Sequence, residues 1–576
     1  MGKFAKVDES FEPNEKASIN SNNEKRNCIK NETKDAIFIV SNRALTENET
    51  LPKRRRTIRK LRTFDLLRKN FEQLKSISAG LLLLSCGGLH IAWAISQVYA
   101  YDTVDDLRDE ADKMNATRTR IDYLNKHLIS ERVYLIFTIV VWYIGMMLGS
   151  FVAAWYLVPA VEKRNIYYLS ALVMLVSGCL FYEMDAAGAR WQALLTFGRF
   201  MAGITQGLVY VTIITQATEN SAKDFRHILF SIIGGTIGFS IFFATNQLSS
   251  SIASFEWANQ NAEKAEMNAT IASDNIAITS ILLALTSIIC NYLFTSETIP
   301  FMLYHNFREE DVQFRLAKLL GEDSASVVVE MEFRAIQLAI LQDYEQFEKD
   351  KIFNPMHRGL LSIAACARLA AVGSFNITTS IFLLSMLRLG VKSSILGINE
   401  ALCYFGIAVK AFLNLWFLAG MCILFLGNKY NWKRGFHFLT FLAGIATLVL
   451  IVLNVSGISK QFIYILTIPT ILIYLQFLSL PIDAISLTYL AECFPASTRI
   501  RSIGFVAMLE CGFNIILATI DFRFYQLVPE FILIGLVLSV CGLKLFRIVS
   551  NTNGLSLTDA KQAYVEATIG KKWWLF

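Results

Sequence analysis

Charge is what this sequence has least of. Only 18% of its 576 residues are Asp, Glu, Lys or Arg, against 54% hydrophobic. A soluble chain of this length carries about a quarter of its residues as charge and divides into several domains. Here the charges gather in a few blocks, and the runs between them are about 20 residues long, enough to cross roughly 30 Å of hydrocarbon. That excludes a soluble enzyme, a secreted disulfide module and a coiled coil. Cysteine is equally uninformative as chemistry: none of the ten has metal-ligand spacing, and all but Cys28 fall in or beside apolar runs. They read as small packing residues, with no disulfide and no metal site expected. No Walker sequence is present, so nucleotide-driven pumping is not expected, and no cofactor is implied. A net charge of +6 does not point to nucleic acid, because the basic residues sit where they orient a membrane protein.

What is there is a polytopic helical membrane protein. Twelve spans are predicted at 77–100, 133–158, 166–186, 192–217, 228–248, 274–294, 359–386, 398–426, 436–456, 461–489, 502–522 and 528–549. Residues 1 to about 70 have no apolar periodicity and read as disordered. No signal peptide is expected, since the first run of spanning length begins near Ile77. A basic block from Lys53 to Lys75 precedes that run, and basic pairs recur at Lys163-Arg164 and Lys433-Arg434. This asymmetry puts both termini in the cytoplasm. The sequons at Asn115 and Asn268 then face outward as glycan acceptors. The expected organisation is a tail at 1–76, six helices over 77–296, a helical linker at 297–358, six more helices over 359–549 and a tail at 550–576. Within the linker, Val312, Leu316, Leu319 and Leu320 mark the apolar side of a short amphipathic helix.

The two sets of spans carry a repeat. Glu219 and Arg226 stand seven apart after span four, and Glu492 and Arg499 stand seven apart after span ten. Two duplicated bundles that rock about a central site are the architecture of alternating access.

The motifs sharpen this. Gly198-Arg199-Phe200 with Gly203 and Gly207, followed by Glu219 and Arg226, resembles the span-four signature of the sugar-porter branch of the major facilitator superfamily. Tyr489-Leu-Ala-Glu492-Cys-Phe494-Pro495, followed by Arg499, is similar to that family's span-ten signature. Glu297-Thr-Ile-Pro300 resembles its motif after span six, and Gly554 to Asp559 the end of its C-terminal motif. Gly88-Leu-His90-Ile-Ala-Trp93 is similar to span one of insect trehalose-transporter-like members. The resemblance covers about residues 77 to 562.

It implies an all-α fold of twelve transmembrane helices in two pseudo-symmetric six-helix bundles. It also implies a transporter rather than an enzyme, in the plasma membrane, with a small polar solute and the bilayer as partners and a monomer as the default. Glu219, Arg226, Glu492 and Arg499 would be gate residues whose ion pairs hold the bundles together on the cytoplasmic side. The chain also departs from the family. No Asp lies between Tyr156 and Arg164. The Gln-rich stretch of span seven is replaced by Arg368-Leu-Ala-Ala-Val-Gly373, leaving Asn376. Before Glu492, Ala484-Ile-Ser-Leu487 stands where the family has Pro-x-x-Trp. Much of the hexose-binding set is therefore missing, and the acid that proton-coupled sugar porters use in span one is absent.

Ionisable groups inside spans are expensive and usually face a cavity. His90 falls near the midplane, and Asp483 and Glu510 fall at similar depths in spans ten and eleven. Those two acids are open to two readings: an acidic cavity suited to a polar or cationic solute, or a buried neutral carboxylic acid in an interhelical hydrogen bond. Trp93, Asn376 and Gln476 complete the cavity candidates. Arg199, placed close to the inner half of span four, reads as a brace between helices. The expected function is facilitative transport of a small polar solute, most simply a sugar. An organic-cation carrier and a transport-inactive sensor are the alternatives.

Overall fold

The computed structural model describes residues 70–91, 93–94, 118–182, 189–223, 225–257, 262–347, 358–375, 430–455, 479–524, 528–548, 550, 552 and 555–569. All lie in the compact unit Phe64–Phe576. The described elements are helical, and no strand occurs among these residues. In chain order they are α1 (Phe71–Ser76), α2 (Ser78–Ile91), α3 (Arg118–Val152), α4 (Lys163–Tyr182), α5 (Ala189–Asn220), α6 (Arg226–Trp257) and α7 (Ala262–Phe294). The linker supplies α8 (Ile299–Tyr304), α9 (Glu309–Leu320) and α10 (Val327–Phe347). Then come α11 (Arg358–Phe375), α12 (Tyr430–Val455), α13 (479–492), α14 (Ala496–Phe524), α15 (Val528–Ile548) and α16 (Leu557–Ile569). α3 continues through a π-helical turn, Ala153–Leu157, to Ala160.

Among the described residues, seven helices are long and apolar enough to cross a bilayer, and they fall on predicted spans two, three, four, six, seven, eleven and twelve. α2, α6, α12 and α13 lie on spans one, five, nine and ten, while span eight lies outside the described residues. A helix satisfies its own backbone, which is why this architecture suits hydrocarbon. Large apolar side chains such as Leu172, Ile289, Tyr292 and Val540 are exposed on its outside. On a soluble monomer such a surface would aggregate; against lipid it is the expected face.

Two expected loops are corrected. The stretch read as an outer loop over 249–273 is helical as far as Trp257 and again from Ala262, and α3 begins at Arg118 rather than near 133. Hydropathy marks only the part of a helix inside the bilayer. Beyond it, helix-favouring residues such as Ala262, Glu263, Lys264 and Ala265 carry the hydrogen-bond ladder on. Asn268 therefore lies in the second turn of α7, and Asn115 lies outside the described residues.

The glycine signature of span four is a packing device. A Cβ on Gly203 would strike the carbonyl of Trp142, and one on Gly207 would strike that of Met146. Gly145 and Gly149 of α3 meet the backbone of Phe200 and Ile204 of α5 in the same way. Small residues on both sides bring the two backbones together, where close dispersion contact substitutes for a hydrophobic drive that lipid does not supply. Gly203→Val is expected to cost about 1–3 kcal/mol, seen as a lower melting temperature and a loss of monodispersity on size exclusion in detergent.

The linker folds as the apolar stripe requires. Val312, Leu316 and Leu319 of α9 are buried against Ile299, Met302, Val329 and Phe333, with Leu320 packed at the margin. α9 opens on Glu309, Glu310 and Asp311, which suit the positive end of the helix dipole. It stops at Gly321, whose φ of 67° is left-handed. Gln73 of α1 ties this linker to the bundle: its Nε2 donates to the Leu319 carbonyl at 3.1 Å, and its Oε1 accepts from the Ala222 amide at 3.1 Å.

Candidate functional site

Two clusters of charge join helices that precede the linker to helices that follow it. The deeper one centres on Arg368 of α11, which is 3% exposed. Its guanidinium grips Glu510 of α14 with a fork, Nε to Oε2 at 3.0 Å and Nη2 to Oε1 at 2.7 Å. Nη1 donates to Asp483 of α13 at 2.5 Å and to the Ser486 hydroxyl at 2.7 Å. From the N-terminal side, the Tyr210 hydroxyl of α5 donates to Glu510 Oε2 at 3.3 Å, and the Tyr210 ring lies 5.7 Å from the guanidinium carbon. Gly234 of α6 leaves room for Asp483, since a Cβ there would stand 2.9 Å from its Oδ2. A paired guanidinium and carboxylate in a fork is the strongest polar contact a side chain makes, and here it offsets the cost of holding charge away from water.

The acids at 483 and 510 thus meet on a single guanidinium. The sequence reading did not place Arg368 between them. Its signal was an arginine ten residues into an apolar helix, which by itself demands a partner. With all three groups ionised, the cluster carries one net negative charge rather than two.

The second cluster lies at the end of the bundle that faces the linker. Arg226, at the start of α6, pairs with Glu492, at the end of α13, at 3.3 Å, with side chains 4% and 5% exposed. α16 closes over this pair. The Tyr564 hydroxyl donates to Glu492 Oε2 at 3.3 Å, and Arg226 Nη1 reaches the Leu555 carbonyl at 3.5 Å. α16 starts there because Ser556 caps it: the Asp559 amide donates to the Ser556 hydroxyl at 3.1 Å, and that hydroxyl donates to the Asp559 carboxylate at 2.7 Å. The Tyr564 ring in turn packs edge-on to Tyr489, 5.5 Å away, whose hydroxyl is 2.9 Å from His437 Nε2. Next to this end, Gly504 of α14 abuts Ala154 in the π-helical turn, so a Cβ there would collide with it.

The other two expected gate residues do different things. Glu219 has a buried Oε2 with no hydrogen bond, and Arg499 Nη2 donates to the Phe494 carbonyl at 3.3 Å. The basic pair after span two finds its acid in the motif after span six. Lys163 Nζ is 3.9 Å from Glu297 and lies over the Phe301 ring at 4.0 Å, and the Arg164 amide donates to Glu297 at 3.2 Å. Burial pushes the Glu297 carboxyl above the usual carboxylate range, with Lys163 pulling the other way.

His90 and Trp93, expected in the cavity, lie inside the N-terminal helices. Both rings pack edge-on to Phe181 of α4, at 5.3 and 5.0 Å. Arg199 joins them and donates through Nη1 to the His90 carbonyl. Its placement near the inner half of span four is corrected: it stands twenty residues from Glu219, about 30 Å along α5 from the linker end. Gly198 accepts from the Ser177 hydroxyl at 2.7 Å, so it too serves helix contact. Asn376 and Gln476 lie outside the described residues. Among the described residues no cluster of His, Cys, Asp or Glu suits a metal. A pocket of about 310 Å³ lined by Leu369, Phe505, Met508, Leu509, Gly512, Phe513 and Ile516 has apolar walls and offers a polar solute no partner.

The architecture has clear counterparts among solved structures. The proton:xylose symporter XylE of the major facilitator superfamily, bound to 6-bromo-6-deoxy-D-glucose, superposes with a TM-score of 0.60 at 13% identity, covering 85% of this chain and 100% of that one. A double-tryptophan mutant of XylE gives 0.58 at 13% identity, over 84% and 98% of the two chains. XylE from E. coli in a partially occluded inward-open conformation gives 0.51 at 13% identity, over 84% and 99%. No family model matches the sequence, and no curated protein matches it. The chain therefore shares its helical fold with XylE, which is itself a proton:xylose symporter of the major facilitator superfamily.

Proposed function

We propose that the protein moves a small, polar and uncharged solute across the membrane by alternating access, without a coupling ion. The observation that carries this reading is the Arg226–Glu492 pair, a buried contact between the helices before and after the linker. A contact of that kind must break for the linker end to open. The Arg368 cluster supports the uncharged solute, since its guanidinium already offsets one of the two acids and engages both. The fold is shared with a structure holding a bromo-glucose, which makes sugars the first solutes to test, and the span-one resemblance adds trehalose to them. Both termini and the linker lie in the cytoplasm in this reading, with the bundles at 77–296 and 359–549 pivoting about the seam in the plasma membrane.

The residual negative charge of the cluster favours one second reading, a cationic solute drawn to Asp483. Uptake into proteoliposomes, run with hexoses, trehalose and organic cations side by side, separates the two. Saturable counterflow of a sugar supports the first. Cation uptake that vanishes in Asp483→Asn replaces it with the second, and binding without flux turns both into a sensor.

A further inference from the structure

Elsewhere in the fold lies a buried cation that has no ion pair among the described residues. Arg199 is 1% exposed and sits among α2, α4 and α5, eleven residues from Tyr210 and so about 16 Å further from the linker end. Its only hydrogen bond among the described residues is to the His90 carbonyl, and its Nε and Nη2 donate to nothing. The faces of Trp93 and Phe181 lie 4.6 and 4.7 Å from the guanidinium carbon. Aromatic faces recover part of a cation's lost hydration, about 2 kcal/mol or somewhat more when desolvated, which is less than the cost of an unpaired buried charge.

The neighbours are short of acceptors as well. Trp93 Nε1 and both ring nitrogens of His90 are buried with no hydrogen bond, although the two residues are 3% and 1% exposed. A neutral imidazole has one N–H to give, and an indole only gives. Among the described residues these donors have no hydrogen-bond acceptor, whereas Arg368, equally buried, has two carboxylates and a hydroxyl. Span one, which passes Arg199 at His90, contributes no acid among its described residues.

We propose that Arg199, Trp93 and His90 form a binding site for a small monovalent anion. The guanidinium supplies the charge, and the indole and imidazole N–H groups complete the shell. Halide ions and the carboxylate of a compact organic acid share this chemistry. The site stands apart from the Arg368 cluster and does not depend on the sugar-transport reading.

The test uses the purified full-length protein in detergent, with its melting temperature followed against sodium chloride, bromide and acetate. Ionic strength is held constant with gluconate, which is too bulky for so enclosed a site. A saturable rise with chloride and bromide assigns a halide. A rise with acetate alone assigns a carboxylate, and either result supports the site. Arg199→Gln is expected to abolish the dependence. Where that variant does not fold, Trp93→Phe keeps the aromatic face, removes one donor and weakens the apparent affinity about tenfold, the usual worth of a hydrogen bond to a charged group. A wild-type melting temperature indifferent to all three anions overturns the proposal, as does an unchanged anion response in Trp93→Phe.

Discussion

Arg368→Gln is expected to lower stability by about 3–5 kcal/mol, the usual cost of stranding one side of a buried ion pair. Two carboxylates would remain, Asp483 and Glu510, previously held at 2.5 and 2.7 Å from the guanidinium. Glutamine can replace part of one hydrogen bond and none of the charge. The loss should show as reduced yield of monodisperse protein and a lower melting temperature. Restoring the electrostatic balance should restore the fold. Arg368→Gln combined with Asp483→Asn and Glu510→Gln leaves neutral amides of similar size, and it should melt well above the single variant. Arg368→Lys is expected to fall between, because an ammonium keeps the charge but cannot form the fork with Glu510. Equal melting temperatures for the single and triple variants would mean that water screens the acids, contrary to their burial.

The physics of this cluster shows what a sequence exposes and what it hides. Asp483 and Glu510 were legible because an acid inside an apolar run is conspicuous, and its depth follows from 1.5 Å per residue. Their partner was not legible by the same rule, since helix rotation decides which of several polar groups at one depth meet, and rotation is set by packing. The glycines of span four were legible as a family signature, but not as a face that α3 would meet with Gly145 and Gly149. Spans were legible to within a few residues where hydropathy changes sharply, as at Lys163 and Val528. They were not legible at 118–132, 249–257 and 262–273, where the helix continues beyond the apolar run. α16 was treated as tail because it is too short and polar to span. Ser556 and Asp559 nonetheless spelled a cap, and Tyr564 a buried contact, which only the Glu492 carboxylate across from it makes meaningful.

Glu492→Gln is expected to shift the population towards forms open at the linker end while leaving the amount at the cell surface unchanged. The pair it breaks is nearly enclosed, so Arg226 would be left without its counter-charge in the closed form only. In the open form water solvates the guanidinium whether residue 492 is Glu or Gln. The penalty therefore falls on one state, and only a differential penalty moves an equilibrium. About 3 kcal/mol, the lower figure for a buried pair, corresponds to a shift of more than a hundredfold at 1.4 kcal/mol per decade. A solvent-exposed pair, worth under about 1 kcal/mol, would shift it by a few-fold at most. The native reporter is Cys493, fully buried beside the pair, whose maleimide labelling should rise as that end opens. Tyr564→Phe removes a single hydrogen bond to Glu492, about 1 kcal/mol, and should move labelling the same way by roughly fivefold. Unchanged Cys493 labelling in Glu492→Gln, at normal surface expression, would make the Arg226 contact a fixed brace rather than a gate.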